Sequence, residues 1–180
     1  SQSASRLLVM IKDVYESGWI QTLKNGDTGV GYTLERRLGI EQNSSALPDF
    51  EGIEIKAKRS SLRKSTRSTL FAKVPDWDIS HLKSSKEILS QYGYLSDEGY
   101  QKLYCTLSTI KSNSQGLSLE IDNLNNTLNE IHLANSVKTD VAKWKFSSLE
   151  SKLLEKHKET FWVYADSQKK EAEYFRYSKV

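Results

Sequence analysis

Three observations predict an α+β fold with a mixed central sheet flanked by helices. Two amphipathic helical segments open the chain, apolar alternation of period two recurs through the rest, and a further helix interrupts the closing strands. At 180 residues with 37% hydrophobic content, the chain is the size of one domain and can bury a core.

Residues 5 to 16 place Leu7, Leu8, Ile11 and Tyr15 at helical spacing around Lys12 and Asp13, so the first helix ends near Gly18. After an Asn25-Gly26-Asp27 loop, Thr28 to Leu38 reads as a second helix, with Leu34 and Leu38 on one face and Gly39 at its end. Asn43-Ser44-Ser45 is a polar connection. From Pro48 to Lys58, Phe50, Ile53 and Ile55 alternate with Glu54, Lys56 and Lys58, a strand signal. Ser68 to Val74 is a candidate antiparallel partner for that strand. Pro75 to Gly99 is polar, with a helix start at Ser84-Ser85-Lys86-Glu87. Tyr100 to Ile110, Leu117 to Ile121, Thr127 to Leu133 and Val137 to Phe146 read as strands between Gly, Asn and Ser turns. Ser147 opens a helix with Glu150 completing a capping box and Leu149, Leu153 and Leu154 facing inward. Phe161 to Ala165 and Tyr174 to Tyr177 are the final strands.

Composition narrows the function classes. Mean hydropathy is -0.59, and no run approaches the roughly 20 apolar residues of a membrane helix. No charged segment followed by an apolar run opens the chain, which predicts no secretory signal. The single cysteine, Cys105, makes no internal disulfide and suits a reducing cytoplasm; it reads as a small buried or half-buried side chain. Starting at Ser1 and stopping after Tyr174-Phe175-Arg176-Tyr177-Ser178-Lys179-Val180, the chain is expected to be cut from a longer one, truncated at the C-terminus. Net charge is only +3, but Lys56, Lys58, Arg59, Arg63, Lys64, Arg67 and Lys73 follow one another from Ile55 to Pro75 with no acid between them. Such a run is either a solvated loop or a phosphate-binding surface, and charge alone leans to the loop.

Two stretches suggest chemistry. Gly26 to Thr33 has the glycine spacing of a phosphate-binding loop, but Tyr32 stands where a lysine must meet the phosphates, so nucleotide hydrolysis is not expected. Pro48-Asp49-Phe50-Glu51-Gly52-Ile53-Glu54-Ile55-Lys56 is the stronger signal. On a strand, Glu54 and Lys56 share a face while Ile53 and Ile55 point into the core, and Asp49 can turn toward Glu54. Two converging carboxylates repel unless a cation lies between them, and Mg²⁺ prefers such oxygen ligands together with substrate phosphate. Lys56 would then orient water and stabilise charge on phosphorus. Taken alone, the triplet fits an exposed ion-paired face better. Its apolar-backed strand, the basic run after it and the helix bearing Glu35 before it shift the balance toward a site. His81, His132 and His157 have no metal-ligand spacing, and Cys105 has no histidine close in sequence. Trp19, Trp77, Trp144 and Trp162 read as packing residues.

Thr28-Gly29-Val30-Gly31-Tyr32-Thr33-Leu34-Glu35, then Pro48 to Lys56, then Thr69-Leu70-Phe71-Ala72-Lys73 resemble, in order and spacing, the MvaI/BcnI restriction endonucleases and their relative MutH, of the PD-(D/E)xK superfamily. Trp144-Lys145-Phe146, Leu149, Leu153 and the closing aromatic strand are similar too; residues 76 to 116 are weakly so. The resemblance implies a MutH-like fold over residues 1–180 as one nuclease domain. Its catalytic core would lie at about 1–75, with 100–180 completing the sheet and a DNA-binding lobe. It also implies Mg²⁺-dependent hydrolysis of double-stranded DNA by a monomer, with Asp49 and Glu54 as metal ligands, Lys56 as catalytic lysine, Glu35 as a supporting acid and Lys73 near the scissile phosphate. Lys58, Arg59, Arg63, Lys64 and Arg67 are the further DNA-binding candidates. A strand-nicking repair nuclease and a non-cleaving DNA-binding module of the same fold are the alternatives.

Overall fold

The computed structural model describes residues 1–41, 47–60 and 68–180; the Asn43-Ser44-Ser45 connection and Arg63, Lys64 and Arg67 lie outside the described residues. In chain order the elements are α1 (Gln2–Glu16), β1 (Ile20–Gln21), α2 (Gly29–Arg37), β2 (Ile53–Arg59), α3 (Ser85–Tyr92), β3 (Tyr94–Leu95), β4 (Gln101–Lys102), β5 (Leu117–Asp122), β6 (Thr127–Ala134), β7 (Val137–Lys145), α4 (Phe146–Lys156), β8 (Glu159–Lys169) and β9 (Glu173–Lys179). They form two compact units: Ser1–Phe71 with Leu153–Val180, and Ala72–Lys152. The architecture is α+β with a mixed sheet flanked by helices. Among the described residues, no helix is long and apolar enough to cross a membrane.

The first unit is built on a four-stranded sheet in the order β1-β9-β8-β2. β9 runs antiparallel to both β1 and β8, whereas β2 lies parallel to β8, from Ile53 opposite Glu159 to Arg59 opposite Ala165. The partner of β2 is therefore a strand from the far end of the chain. Ser68 to Val74, the expected antiparallel partner, forms no strand. Carbonyls there are taken by side chains instead: Leu70 C=O by the His157 ring at 2.7 Å and Lys73 C=O by the Trp144 indole at 3.1 Å. β2 also starts later than alternation implied. Phe50 and Ile53 exchange backbone hydrogen bonds of 2.9 and 2.8 Å. Between them, Glu51 and Gly52 take positive φ of 47° and 86°, the two-residue hairpin turn whose second position glycine fills without strain.

The core of this unit joins Leu7, Ile11 and Val14 of α1 to Leu34, Ile53, Ile55, Val163, Phe175 and Tyr177. The i, i+4, i+7 stripe of α1 is thus Leu7-Ile11-Val14. Leu8 and Tyr15, expected on the same face, lie on its flanks at 50% and 54% exposure. The Tyr177 hydroxyl donates to Val30 C=O at 2.8 Å inside the core, which ties β9 to α2 and satisfies a buried polar group.

The second unit holds α3, the β3–β4 hairpin and an antiparallel β5-β6-β7 sheet over a core of Ile88, Tyr92, Leu117, Val141 and Ala142. Ser84 caps α3 by accepting the Glu87 N–H. The strand expected from Tyr100 to Ile110 shrinks to β4: Tyr104 and Ile110 are 89% and 92% exposed, and Ser108 Oγ takes the Ile110 and Lys111 N–H groups in a local turn. Cys105 is exposed rather than buried. α4 begins at Phe146, one residue before the expected Ser147, and buries no residue fully. Leu153 and Leu154, read as inward, are 37% and 59% exposed. Its first turn is fastened by a polar contact instead, Ser148 Oγ donating to Asp76 at 3.0 Å.

Glu130 of β6 is buried, and loss of water raises its carboxyl to about 7. A carboxyl whose folded pKa exceeds its unfolded one binds protons more tightly when folded. Its penalty is absent below the unfolded value, grows as pH rises and is complete above about 7. Glu130→Gln is therefore expected to raise the midpoint of thermal unfolding at pH 8, by on the order of 2 kcal/mol in stability. The advantage should vanish near pH 4, as calorimetry at the two pH values would read.

Candidate active site

The hairpin turn at Glu51-Gly52 decides where Asp49 goes. By folding the segment back on β2, it lets Asp49 Oδ2 accept the Ile55 N–H at 2.9 Å. That side chain is thereby fixed beside the first half of the strand. On β2, Glu54 and Lys56 share a face, as alternation requires. The face is not the exposed one that a solvated ion pair would occupy: Glu54 is only 2% exposed. α2 packs against β2 and brings Glu35 into the electrostatic reach of both Asp49 and Glu54.

Glu54 is held from two sides. Lys56 Nζ lies 2.6 Å from Oε1, and Lys156 Nζ, from the last residue of α4, lies 3.3 Å from Oε2. The second contact is close but lacks hydrogen-bond alignment, so Oε2 is a buried acceptor without a hydrogen bond. The neighbouring acids register the crowding. Burial, then the charges of Asp49 and Glu54, pushes Glu35 above the usual glutamate range. Burial likewise raises Asp49, with the Ile55 N–H opposing and the Glu54 charge adding to the rise. Carboxylates raised by burial and by one another gain stability from a cation placed among them.

Among the described residues, no group of three His, Cys, Asp and Glu side chains is gathered closely enough to hold a metal ion. The pair Asp49 and Glu54, with a free lone pair on Glu54 Oε2, nevertheless suits Mg²⁺, which keeps most of its waters and takes one or two carboxylates plus phosphate oxygens. The donor set is all oxygen, the preference of a hard cation.

The other candidates are distributed. Lys58 Nζ sits over the Trp162 ring at 5.2 Å. Arg59 makes two 2.8 Å bonds to Glu173, at Nε and Nη2, and donates at 3.0 Å to the Gly26 and Asp27 carbonyls. Its guanidinium thus clamps the glycine loop to β9. Lys73 belongs to the second unit, 3.3 Å from Asp76. The glycine loop is structural: a Cβ on Gly29 would come within 2.2 Å of Lys24 C=O, and Thr33 Oγ1 accepts the Leu23 N–H at 3.0 Å. Sequence reading missed Lys156. It stands on a helix read only for packing, far along the chain from Glu54, and the parallel pairing of β2 with β8 is what brings it close.

The two Arg59–Glu173 bonds lie in a partly buried setting, and the Arg59 partner holds Glu173 below the usual glutamate range. A double-mutant cycle with Arg59→Ala and Glu173→Ala is expected to give a coupling energy of about 1–3 kcal/mol in denaturant unfolding. A value near zero would mean that the pair contributes nothing to the fold.

No curated protein sequence matches the chain. Restriction endonuclease MvaI in complex with its cognate DNA substrate aligns at 27% identity over 99% of this chain and 73% of its own, with a TM-score of 0.86. MvaI in the absence of DNA aligns at 25% identity over 98% of this chain and 72% of its own, with a TM-score of 0.52. The model of the MvaI/BcnI restriction endonuclease family matches residues 8–180, so this chain belongs to that family and is a restriction endonuclease by membership.

Proposed function

We propose that this chain is a type II endonuclease domain that hydrolyses phosphodiester bonds of double-stranded DNA with Mg²⁺, at a site made of Asp49, Glu54, Lys56 and Glu35. The observation that carries the reading is the buried Glu54 carboxylate, held by Lys56 on one oxygen and without a hydrogen bond on the other. Asp49 stands beside it, locked to the Ile55 N–H. Burying an acid among acids is costly unless a cation belongs there. The MvaI–DNA complex, alike in fold over 99% of this chain, supports DNA as the substrate.

When bound, a divalent metal supplies a Lewis acid for the phosphodiester and lowers the pKa of water. Asp49 and Glu54 would hold it through carboxylate oxygens. Lys56, anchored on Glu54 Oε1 at 2.6 Å, would present its ammonium to the attacking water and to the oxygens on which charge builds. As the water oxygen bonds to phosphorus, the bond to the leaving ester oxygen breaks; the water's proton passes to solvent or a neighbouring base, and the departing oxygen takes up a proton from solvent to leave as an alcohol. Glu35, raised by burial and by Asp49 and Glu54, suits a supporting acid that orients water in the same cluster. The unit containing Ser1–Phe71 and Leu153–Val180 would be the catalytic core of a monomeric, cytoplasmic enzyme, and Lys58, Arg63, Lys64, Arg67 and Lys73 would contribute contacts to the DNA backbone.

Incubation with supercoiled plasmid and Mg²⁺ is expected to yield nicked or linear product, and chelation by EDTA to abolish it. Nicked product alone would favour a strand-nicking repair enzyme, and binding without cutting a non-cleaving module. Lys56→Ala is expected to lower cleavage by about 100-fold or more while DNA affinity, read by fluorescence anisotropy, stays near wild type. Full cleavage by this variant would remove Lys56 from the site. Replacing Arg63, Lys64 and Arg67 by Gln is expected to weaken binding to all sequences alike and to reduce the salt slope by about 1 for each phosphate that is no longer neutralised. An unchanged slope would make the basic run a solvated loop.

A further inference from the structure

Lys156 has no role in the chemistry outlined above, yet its ammonium stands beside one of the carboxylates proposed to hold the metal. It lies 3.3 Å from Glu54 Oε2, the buried oxygen that no hydrogen bond occupies. It also acts on Asp49, where its charge opposes the rise caused by burial and by Glu54. Glu54 needs no second lysine for its own sake, because Lys56 already meets Oε1 at 2.6 Å. Asp49, Glu54 and Glu35 of α2 are three carboxylates, against which stand the ammoniums of Lys56 and Lys156, with Lys24 acting on Glu35 as a third.

We propose that Lys156 is a resident counter-ion that fills the cation place between Asp49 and Glu54 in the metal-free enzyme, and that it must withdraw for a divalent cation to enter. The proposal rests on the reading of Asp49 and Glu54 as metal ligands. Lys156 is suited to the task. It ends α4, its side chain is 18% exposed, and its contact with Oε2 is held by charge without hydrogen-bond alignment. A flexible four-carbon stem lets such an ammonium swing toward solvent at little cost. A divalent ion added while both lysines remain would leave the cluster net positive. The metal is therefore disfavoured until Lys156 turns away or an anion such as a DNA phosphate arrives to receive it. Lys156 thus acts as a positioning residue that makes metal and nucleic acid bind cooperatively.

The test uses Mn²⁺ as probe, titrated into the full chain without DNA and followed by calorimetry or by the electron paramagnetic resonance signal of free Mn²⁺. Lys156→Met and Lys156→Gln are expected to bind Mn²⁺ about tenfold or more tightly than wild type, through loss of a cation adjacent to the ligands. Lys156→Arg, which keeps the charge, is expected to stay near wild type. Unchanged or weaker Mn²⁺ affinity in both neutral variants, or no measurable binding in either, overturns the proposal. Adding Glu54→Gln to Lys156→Met separates the two ideas. If the tightened affinity is lost, Glu54 is a ligand; if it persists, the metal-ligand reading fails instead. Should the neutral variants be unfolded without metal, Mn²⁺-dependent recovery of their folded signal is the readout. A larger Mn²⁺ stabilisation than wild type supports the proposal, and an equal one overturns it.

Discussion

Glu54 carries a carboxyl group into a part of the molecule where almost no water reaches it, and much of the first unit is arranged around that group. A lone carboxylate in such surroundings is several kcal/mol unfavourable, and a positive group stands near each of its oxygens. Lys56 comes from the same strand face, Lys156 from the end of α4. Lys156 is within reach only because β2 pairs with β8. The register of β2 against β8, with Glu54 opposite Thr160, sets the cluster near the start of the closing hairpin. The His157 ring, bonded to Thr160 Oγ1 at 2.9 Å and to Leu70 C=O at 2.7 Å, fastens the residue next to Lys156.

The same electrostatic logic separates the cations of the basic run. Counted along the sequence they look alike. In the fold, Arg59 is bound up by Glu173 and two loop carbonyls, whereas Lys56 and Lys73 each pair with a single acid, Glu54 and Asp76. Planar guanidinium geometry makes Arg59 the one suited to bridge a carboxylate and two carbonyls at once. A basic segment is thus partly framework and partly surface, and only three-dimensional pairing tells which residue is which.

How much was legible beforehand follows from the range of the interactions. α1, α2, α3, the β5-β6-β7 meander and α4 were readable because their signals are local: spacing, caps and turn residues. The shared face of Glu54 and Lys56 was readable for the same reason. Burial of that face was not, because Glu35 and Lys156, which stand about it, come from other elements of the chain. Nor was the partner of β2, because Ser68 to Val74 and Phe161 to Ala165 both carry apolar residues and periodicity carries no pairing information. Lys156 was invisible for the same physical reason. The MvaI/BcnI resemblance, which now stands as family membership, took in Leu149 and Leu153 of α4 as well as the three motifs near the N-terminus, but it gave Lys156 no role.

The parallel pairing of β2 with β8 also bears on biosynthesis. Such a pair cannot close until the chain has emerged from the ribosome well past Lys156, because both β8 and the second lysine lie after the whole second unit. Until then Asp49, Glu54 and Lys56 exist as sequence but have no wall to be buried against. Contacts of such long sequence separation form late and slowly. In this member of a restriction endonuclease family, the topology delays the assembly of the buried acidic cluster until β8 has been made.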